Sequence, residues 1–307
     1  MALRLAGNAE LAAVASTNID RAREFAERYG AARYYNNYEQ LAMDPDIDAI
    51  YVATPHAFHF DNVLLCLAQR KPVLCEKPLA LSHSQAERMV QAAREHNTFL
   101  MEAMWTRFLP LMRTTLELIR EGRLGTIKYV RADFGFAGAF HPENRLFNLN
   151  LGGGALLDIG VYPLFLCLLL LGEPETIQAS GHLASTGADE SVYAWLGYKD
   201  GASAILSATF SLQTSITAEI AGTEGLIQLP SPWYKNDKLV LQRPNEPDQT
   251  FQLEPMVNGF EYEIREVMAC VDKGLIESPS MPHSLSLLMS KTMDAIRSQI
   301  GVVYPGQ

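Results

Sequence analysis

Basic side chains are in short supply in this chain. Its 307 residues carry 25 Lys and Arg against 35 Asp and Glu, a formal net charge of −10. No basic stripe offsets that balance, which argues against nucleic acid as a partner. No run of like charge reads as an interaction tail. Cysteine is as sparse. Cys66, Cys75, Cys167 and Cys270 stand far apart in apolar runs without a CxxC pair, so neither a zinc ribbon nor a redox motif is indicated. They read as buried free thiols in a reducing compartment. The N-terminus lacks a charged segment followed by an apolar stretch, so no secretory signal is expected. The most apolar segment, Val161–Leu171, is shorter than the roughly 20 residues that span a bilayer and reads as a buried helix. The expectation is an acidic, cytoplasmic protein with no membrane or nucleic-acid partner.

What is present is an ordinary globular composition, 48% hydrophobic and 20% charged, in a chain long enough for two domains. The first hundred residues alternate strands and helices. Glu10–Ser16 reads as a strand and Ile19–Tyr29 as an amphipathic helix capped by Asn18. Asp48–Thr54 has the continuous apolar character of a buried parallel strand. A helix over His59–Gln69, a strand at Pro72–Cys75, a helix over Ser82–His96 and a strand at Phe99–Glu102 follow. Such alternation with short connections predicts βαβ units and a parallel sheet. Beyond a boundary near Met104 the pattern changes. Helices at Leu109–Arg120 and Asp158–Leu171 flank a long strand at Ile127–Phe136. Successive strands then run from Thr176 to Leu253 with turn signals such as Lys199-Asp200-Gly201. They predict a mainly antiparallel sheet, one face of which the closing helices Phe260–Lys273 and His283–Gln299 would cover. The expected architecture is a Rossmann-like α/β domain over residues 1–104 and an α+β domain over 105–307.

Ligands of an open parallel sheet bind beyond the carboxyl ends of its strands. Three strand ends carry polar residues there: Ser16-Thr17-Asn18, Thr54-Pro55-His56 and Glu76-Lys77-Pro78. Caps and turns account for the first two as readily as a ligand does. Lys77 is the sharper signal, because a lysine directly after a buried strand seldom sits there without a partner. Asp158 and Tyr162 are four residues apart, which places both on one face once the helix has begun. Gly152-Gly153-Gly154 suits either a close approach of backbone to a ligand or a plain turn. His56 and His59 have metal-like spacing but no third ligand nearby, so no metal is expected.

The run Glu76-Lys77-Pro78, with Thr54-Pro55 upstream, resembles the glucose-fructose oxidoreductase / inositol dehydrogenase (Gfo/Idh/MocA) family of NAD(P)-dependent oxidoreductases. The likeness continues through Glu102-Ala103-Met104-Trp105-Thr106-Arg107-Phe108 and through Gly152 to Pro163. These longer strings are similar to the branch that holds the dimeric dihydrodiol dehydrogenases and the NADP-dependent D-xylose dehydrogenases. The resemblance implies that Lys77 lies beside nicotinamide and substrate, and that Trp105 and Arg107 line the cleft; packing at the domain junction is the alternative for Trp105. It also implies a homodimer formed through the C-terminal sheet. Oxidising an alcohol needs a base for its proton. A free tyrosine titrates near ~10, and a neighbouring ammonium would bring that value down. Lys77 and Tyr162 thus form an expected acid/base unit, with Asp158 in an orienting role.

Two features depart from the family pattern. A dinucleotide-binding domain opens with a strand and a G-x-G-x-x-G turn that receives the pyrophosphate at a helix N-terminus. Nothing of that kind precedes Glu10, and Ala2–Gly7 reads as the end of the helix that follows such a turn. The first strand and the turn are expected outside the chain as written, through a mis-set start, an omitted segment or a true truncation. The second feature is that Ser16-Thr17-Asn18 offers hydroxyls and an amide where a carboxylate would recognise the ribose of NAD. With Arg21 one turn on, this favours NADP, NAD being the alternative. His56, His59 and Glu76 complete the expected cofactor set. The overall expectation is an NADP-dependent dehydrogenase of a sugar C1 hydroxyl or cyclic trans-diol. The rival is a non-catalytic binding or scaffold descendant that has lost its cofactor loop.

Overall fold

The computed structural model describes residues 1–306. The N-terminal part runs α1 (Ala2–Ala6), β1 (Ala13–Ala15), α2 (Ile19–Tyr29), β2 (Arg33–Tyr35), α3 (Tyr38–Met43), β3 (Ile50–Val52), α4 (His59–Ala68), β4 (Val73–Glu76), α5 (His83–Glu95) and β5 (Leu100–Ala103). Local chemistry sets the helix ends. The Asn18 side chain accepts the Arg21 amide at 3.0 Å, and Gly30 ends α2 in the left-handed conformation with φ 80°. Ser82 caps α5 in the same way. The strands are parallel in two groups, β1–β2 and β3–β4–β5. Among the described residues no strand hydrogen-bonds β1 to β3. Helix α1, formed by the expected segment, packs on a C-terminal helix, where Arg265 donates to the carbonyls of Leu5 and Ala6.

The C-terminal part comprises α6 (Pro110–Arg120), β6 (Ile127–Gly135), α7 (Val161–Leu171), β7 (Thr176–Leu183), β8 (Asp189–Gly197), β9 (Ser203–Thr209), β10 (Ala218–Gly222), β11 (Leu226–Leu229), β12 (Lys238–Gln242), β13 (Gln249–Gln252), α8 (Glu261–Asp272) and α9 (His283–Ile300). Its eight strands form one sheet in the order β13-β12-β11-β10-β6-β9-β8-β7. Every pairing is antiparallel except the central β6–β9, which is parallel. The chain leaves β6 through a long loop and α7 and returns by the β7–β8 hairpin, and that crossover permits a parallel neighbour.

Two expectations are corrected here. The covered face of the sheet is packed chiefly by α7, with α9 lying against β7 and bridging to α5, while α8 packs on α1. Val161–Leu168 are all buried, which agrees with the apolarity of α7 on every side. The apolar stretch is also longer than it read. Leu149–Leu171 as a whole is long enough for a membrane span, yet 83% of its most apolar window is buried inside the protein. It is the core helix. Residues 31–43 carried no clear signal, because β2 and α3 are only three and six residues long. The C-terminal segment also extends the parallel sheet's contacts, since Leu100 N donates to Ile276 O and His283 Nε2 lies 2.9 Å from Leu100 O.

Phe165 lies within α7 and is fully buried. Phe165→Ala should destabilise the protein by about 3–5 kcal/mol, read as a fall in the urea midpoint at unchanged slope. A loss below about 1 kcal/mol would contradict α7 as the main cover of the sheet.

Candidate active site

Lys77 stands at the edge of the parallel sheet because β4, buried through Cys75, ends at Glu76 directly before it. Its Nζ donates to the Asp158 carbonyl at 2.5 Å and to Asp158 Oδ1 at 3.1 Å. Asp158 lies in a π-helical turn, Leu156–Gly160, that leads into α7. It also pairs with the exposed Arg145 at 3.1 Å. Burial alone would raise the Asp158 carboxyl, but Lys77, Arg145 and His56 outweigh it and hold it down at about 2. Burial likewise opposes the Lys77 charge. Tyr162, Asp158 and Glu76 overcome that and keep the ammonium above its ordinary value.

Tyr162 is one helical turn beyond Asp158, with the Lys77 Nζ 5.2 Å from its ring centre. Its hydroxyl accepts from Trp105 Nε1 at 2.9 Å. Trp105 comes from the turn that follows β5 and stacks on Phe260 at 4.7 Å, while Phe134 and Tyr234 flank Tyr162. Burial in this aromatic box pushes the Tyr162 phenol above its ordinary value, although Lys77 and the Trp105 N–H pull it the other way. The expectation of a lowered phenol is therefore corrected. At neutral pH Tyr162 holds its proton.

The two histidines have separate roles. His56 donates from Nδ1 to Gly152 O at 2.9 Å, and burial with the Lys77 ammonium holds its imidazole down at about 3. His59 is fully buried, its ring nitrogens 2.9 Å from Pro78 O and 2.8 Å from Thr54 O. It joins the end of β3 to the Lys77–Pro78 turn and is sealed from any cofactor, which corrects its placement in the cofactor set. Arg107 is half-buried in the short turn after β5 that also carries Trp105. Its Nε donates to Ser280 O at 2.8 Å, so it ties the junction and joins none of the Lys77–Asp158–Tyr162 contacts. Gly152–Gly154 is a turn required by close approach of protein to protein. A Cβ at Gly152 would lie 2.7 Å from the His56 side chain.

The remaining expected residues follow strand ends. Ser16 is half-buried and accepts the Asn18 amide at 3.2 Å, while Thr17, Asn18 and Arg21 are exposed around the start of α2. Thr54 Oγ1 accepts from Asn62 at 3.1 Å, and Pro55 is exposed beside it. Glu76 accepts the Tyr51 hydroxyl and the Lys77 amide. These positions could hold the ribose and nicotinamide ends of a dinucleotide. Arg145, Tyr234 and Phe260 were not foreseen, because each sits in a loop or element edge with no periodic signal.

Residues 2–104 match the family model described as "Oxidoreductase family, NAD-binding Rossmann fold", and residues 112–228 match the GFO/IDH/MocA C-terminal domain. The chain is 40% identical over 303 residues to a trans-1,2-dihydrobenzene-1,2-diol dehydrogenase of Xenopus laevis, covering 96% of this chain and 91% of that one. The 3-ketoreductase KijD10 from Actinomadura kijaniata, solved with NADP and TDP-benzene, superposes with TM-score 0.85 at 29% identity over 97% of this chain and 92% of that chain. An aldose-aldose oxidoreductase from Caulobacter crescentus does so with TM-score 0.85 at 25% identity, over 94% and 89%.

Asp158→Asn would leave the buried Lys77 ammonium without its carboxylate. It should lower stability at pH 7 by about 3 kcal/mol, the low end for an orphaned buried charge, because Lys77 keeps the Asp158 carbonyl. The carboxyl is held below its unfolded value, so its contribution is complete above that value and is lost as pH falls through about 2. Denaturation midpoints across acid pH should show the gap between wild type and variant closing towards that limit. A gap that did not change with pH would contradict the assignment.

Proposed function

The chain belongs to the Gfo/Idh/MocA oxidoreductase family, and from that premise we propose that it is an NADP-dependent dehydrogenase of a cyclic trans-diol or a sugar C1 hydroxyl. The observation that carries the proposal is the single cluster of Lys77, Asp158, Tyr162 and Trp105. Bound nicotinamide supplies the hydride chemistry. The chain's own residues handle the proton. In the reducing direction Tyr162, protonated at neutral pH, gives its hydroxyl proton to the new alcohol oxygen. In the oxidising direction the phenolate takes that proton back, with the Lys77 ammonium and the Trp105 N–H offsetting its charge. Asp158 holds Lys77 in place. Its own charge opposes the phenolate, which is why it is the orienting partner and not the base.

The residues present fit the ribose end of NADP better than that of NAD. No carboxylate ends β1, and the adjacent Asp20 is paired with Arg23 at 2.7 Å. Thr17, Asn18 and Arg21 remain exposed to receive a 2′-phosphate. The relative from Xenopus laevis carries the diol in its name, and the Caulobacter crescentus enzyme carries the aldose in its own, which supports both substrate classes.

We also propose that residues 105–307 form the substrate and dimerisation domain. The face of the large sheet turned away from α7 exposes Tyr193, Trp195 and Ile205, and Trp195 and Ile205 are direct cross-strand partners. An apolar group of this kind on an open sheet face suits a second copy.

Two outcomes test these proposals. Tyr162→Phe should lower kcat by at least about a hundredfold, within the range of a lost acid/base, with NADP affinity in fluorescence titration unchanged. A loss below about tenfold would sink the role. A wild type that neither binds cofactor nor turns over diols or aldoses would favour the non-catalytic reading. Trp195→Glu should convert a dimer mass in light scattering to a monomer mass, and a wild-type monomer at micromolar concentration would refute the dimer.

A further inference from the structure

We infer that Asp189 and Tyr304 are positioning residues that clamp the Gly152–Gly154 turn and thereby set where Asp158 and Tyr162 stand. The inference rests on the proposed roles of Asp158 and Tyr162, but neither residue of the clamp touches Lys77 or the aromatic box.

The geometry runs from the turn to the site in short steps. Asp189, the first residue of β8, is fully buried, and its Oδ2 accepts the Leu156 amide at 2.6 Å. The Ala155 amide also faces this carboxylate. Asp189 therefore caps the helix start from a distant strand, as an N-cap side chain does locally. Tyr304, 1% exposed near the C-terminus, donates its hydroxyl to Gly153 O at 2.8 Å. The Arg297 guanidinium lies 4.9 Å from the Tyr304 ring centre. Between these two contacts stands Gly154, with φ +140°. A Cβ there would come 2.2 Å from Asp189 Oδ1 and 3.1 Å from the Tyr304 hydroxyl. The Asp158 amide then donates to the Gly154 carbonyl at 3.1 Å. Asp158 is thus one hydrogen bond away from the clamped residue, and Tyr162 is one turn further.

A buried carboxylate is an expensive way to fill space. Asp189 Oδ1 makes no hydrogen bond, and such a group costs free energy that an apolar residue would not. Burial pushes the carboxyl up to about 7, against the pull of the Leu156 amide. Buried polar groups of this sort can fix one arrangement among several that packing alone would allow. Here the arrangement fixed is the start of the helix that carries the acid/base pair. The His56 bond to Gly152 secures the same turn from the parallel-sheet side.

The test uses Tyr304→Phe, which removes one hydroxyl, and Asp189→Ala with Asp189→Asn as its conservative counterpart. Trp105 donates to the Tyr162 hydroxyl, so with Trp195 and Trp233 replaced by Phe its emission reports the position of Tyr162 without any substrate, and Tyr162→Phe in that background provides the reference spectrum. Tyr304→Phe and Asp189→Ala should move the emission towards that reference. Where turnover is measured, they should lower kcat by about ten- to a hundredfold, the scale of a small misplacement, with KM for cofactor unchanged. Asp189→Asn keeps an oxygen for the Leu156 amide and should recover most of the loss. Folded Tyr304→Phe with wild-type emission and kcat, differing only in a lowered Tm, would overturn the inference, whatever becomes of Asp189→Ala. Failure of the proposed chemistry would appear in the wild type itself, as absent turnover, and would leave the emission test intact.

Discussion

The bond between the Lys77 ammonium and Asp158 is the constraint on which the rest of the site depends. It joins the end of a parallel strand to the start of a helix in the other half of the molecule. Removing two charges from water is costly, and their attraction repays it only when the geometry is good and the remaining donors are satisfied. Both conditions are met through backbone. Lys77 donates to the Asp158 carbonyl as well as to its carboxylate, and Arg145 takes the outer side of Asp158. From the sheet side, His59 ties the Lys77–Pro78 turn to the end of β3. The glycine turn, Asp189 and Tyr304 hold the opposite side. The pair is thus held from both halves of the molecule.

The aromatic box decides how that charge is used. Trp105, Tyr234 and Phe134 pack around Tyr162, with Phe260 stacked on Trp105, and keep it buried. Burial raises the cost of a phenolate, and it also strengthens the attraction of the ammonium that would stabilise one. Burial wins, and the phenol keeps its proton. On the proposed reading the site presents a protonated phenol, and Lys77 with the Trp105 N–H offsets the charge left when that proton is given up.

Much of this was legible in the sequence, for reasons that differ by residue. The helices α2 and α5 carried their caps, Asn18 and Ser82, beside the apolar pattern they terminate. Lys77, Asp158 and Tyr162 were legible because a charged residue after a buried strand and a four-residue spacing are local signals. Both histidines showed in the sequence, but their partners did not. His59 bonds carbonyls five and nineteen positions away, and no local pattern separates that from a ligand contact. Arg107 likewise bonds a distant residue, Ser280, which no local pattern announces. Asp189 and Arg145 were invisible because their partners lie in other elements. The parallel β6–β9 pair was hidden by the long crossover between the two strands.

The most direct test of the Lys77–Tyr162 unit is the pH dependence of diol oxidation in wild type and in Lys77→Met. The ammonium pulls the phenol down against burial, so its removal should carry the ionisation that governs oxidation to higher pH as well as slowing the reaction. A variant that is slower at every pH, with that ionisation unmoved, would show that Lys77 does not act on Tyr162 and would contradict the account.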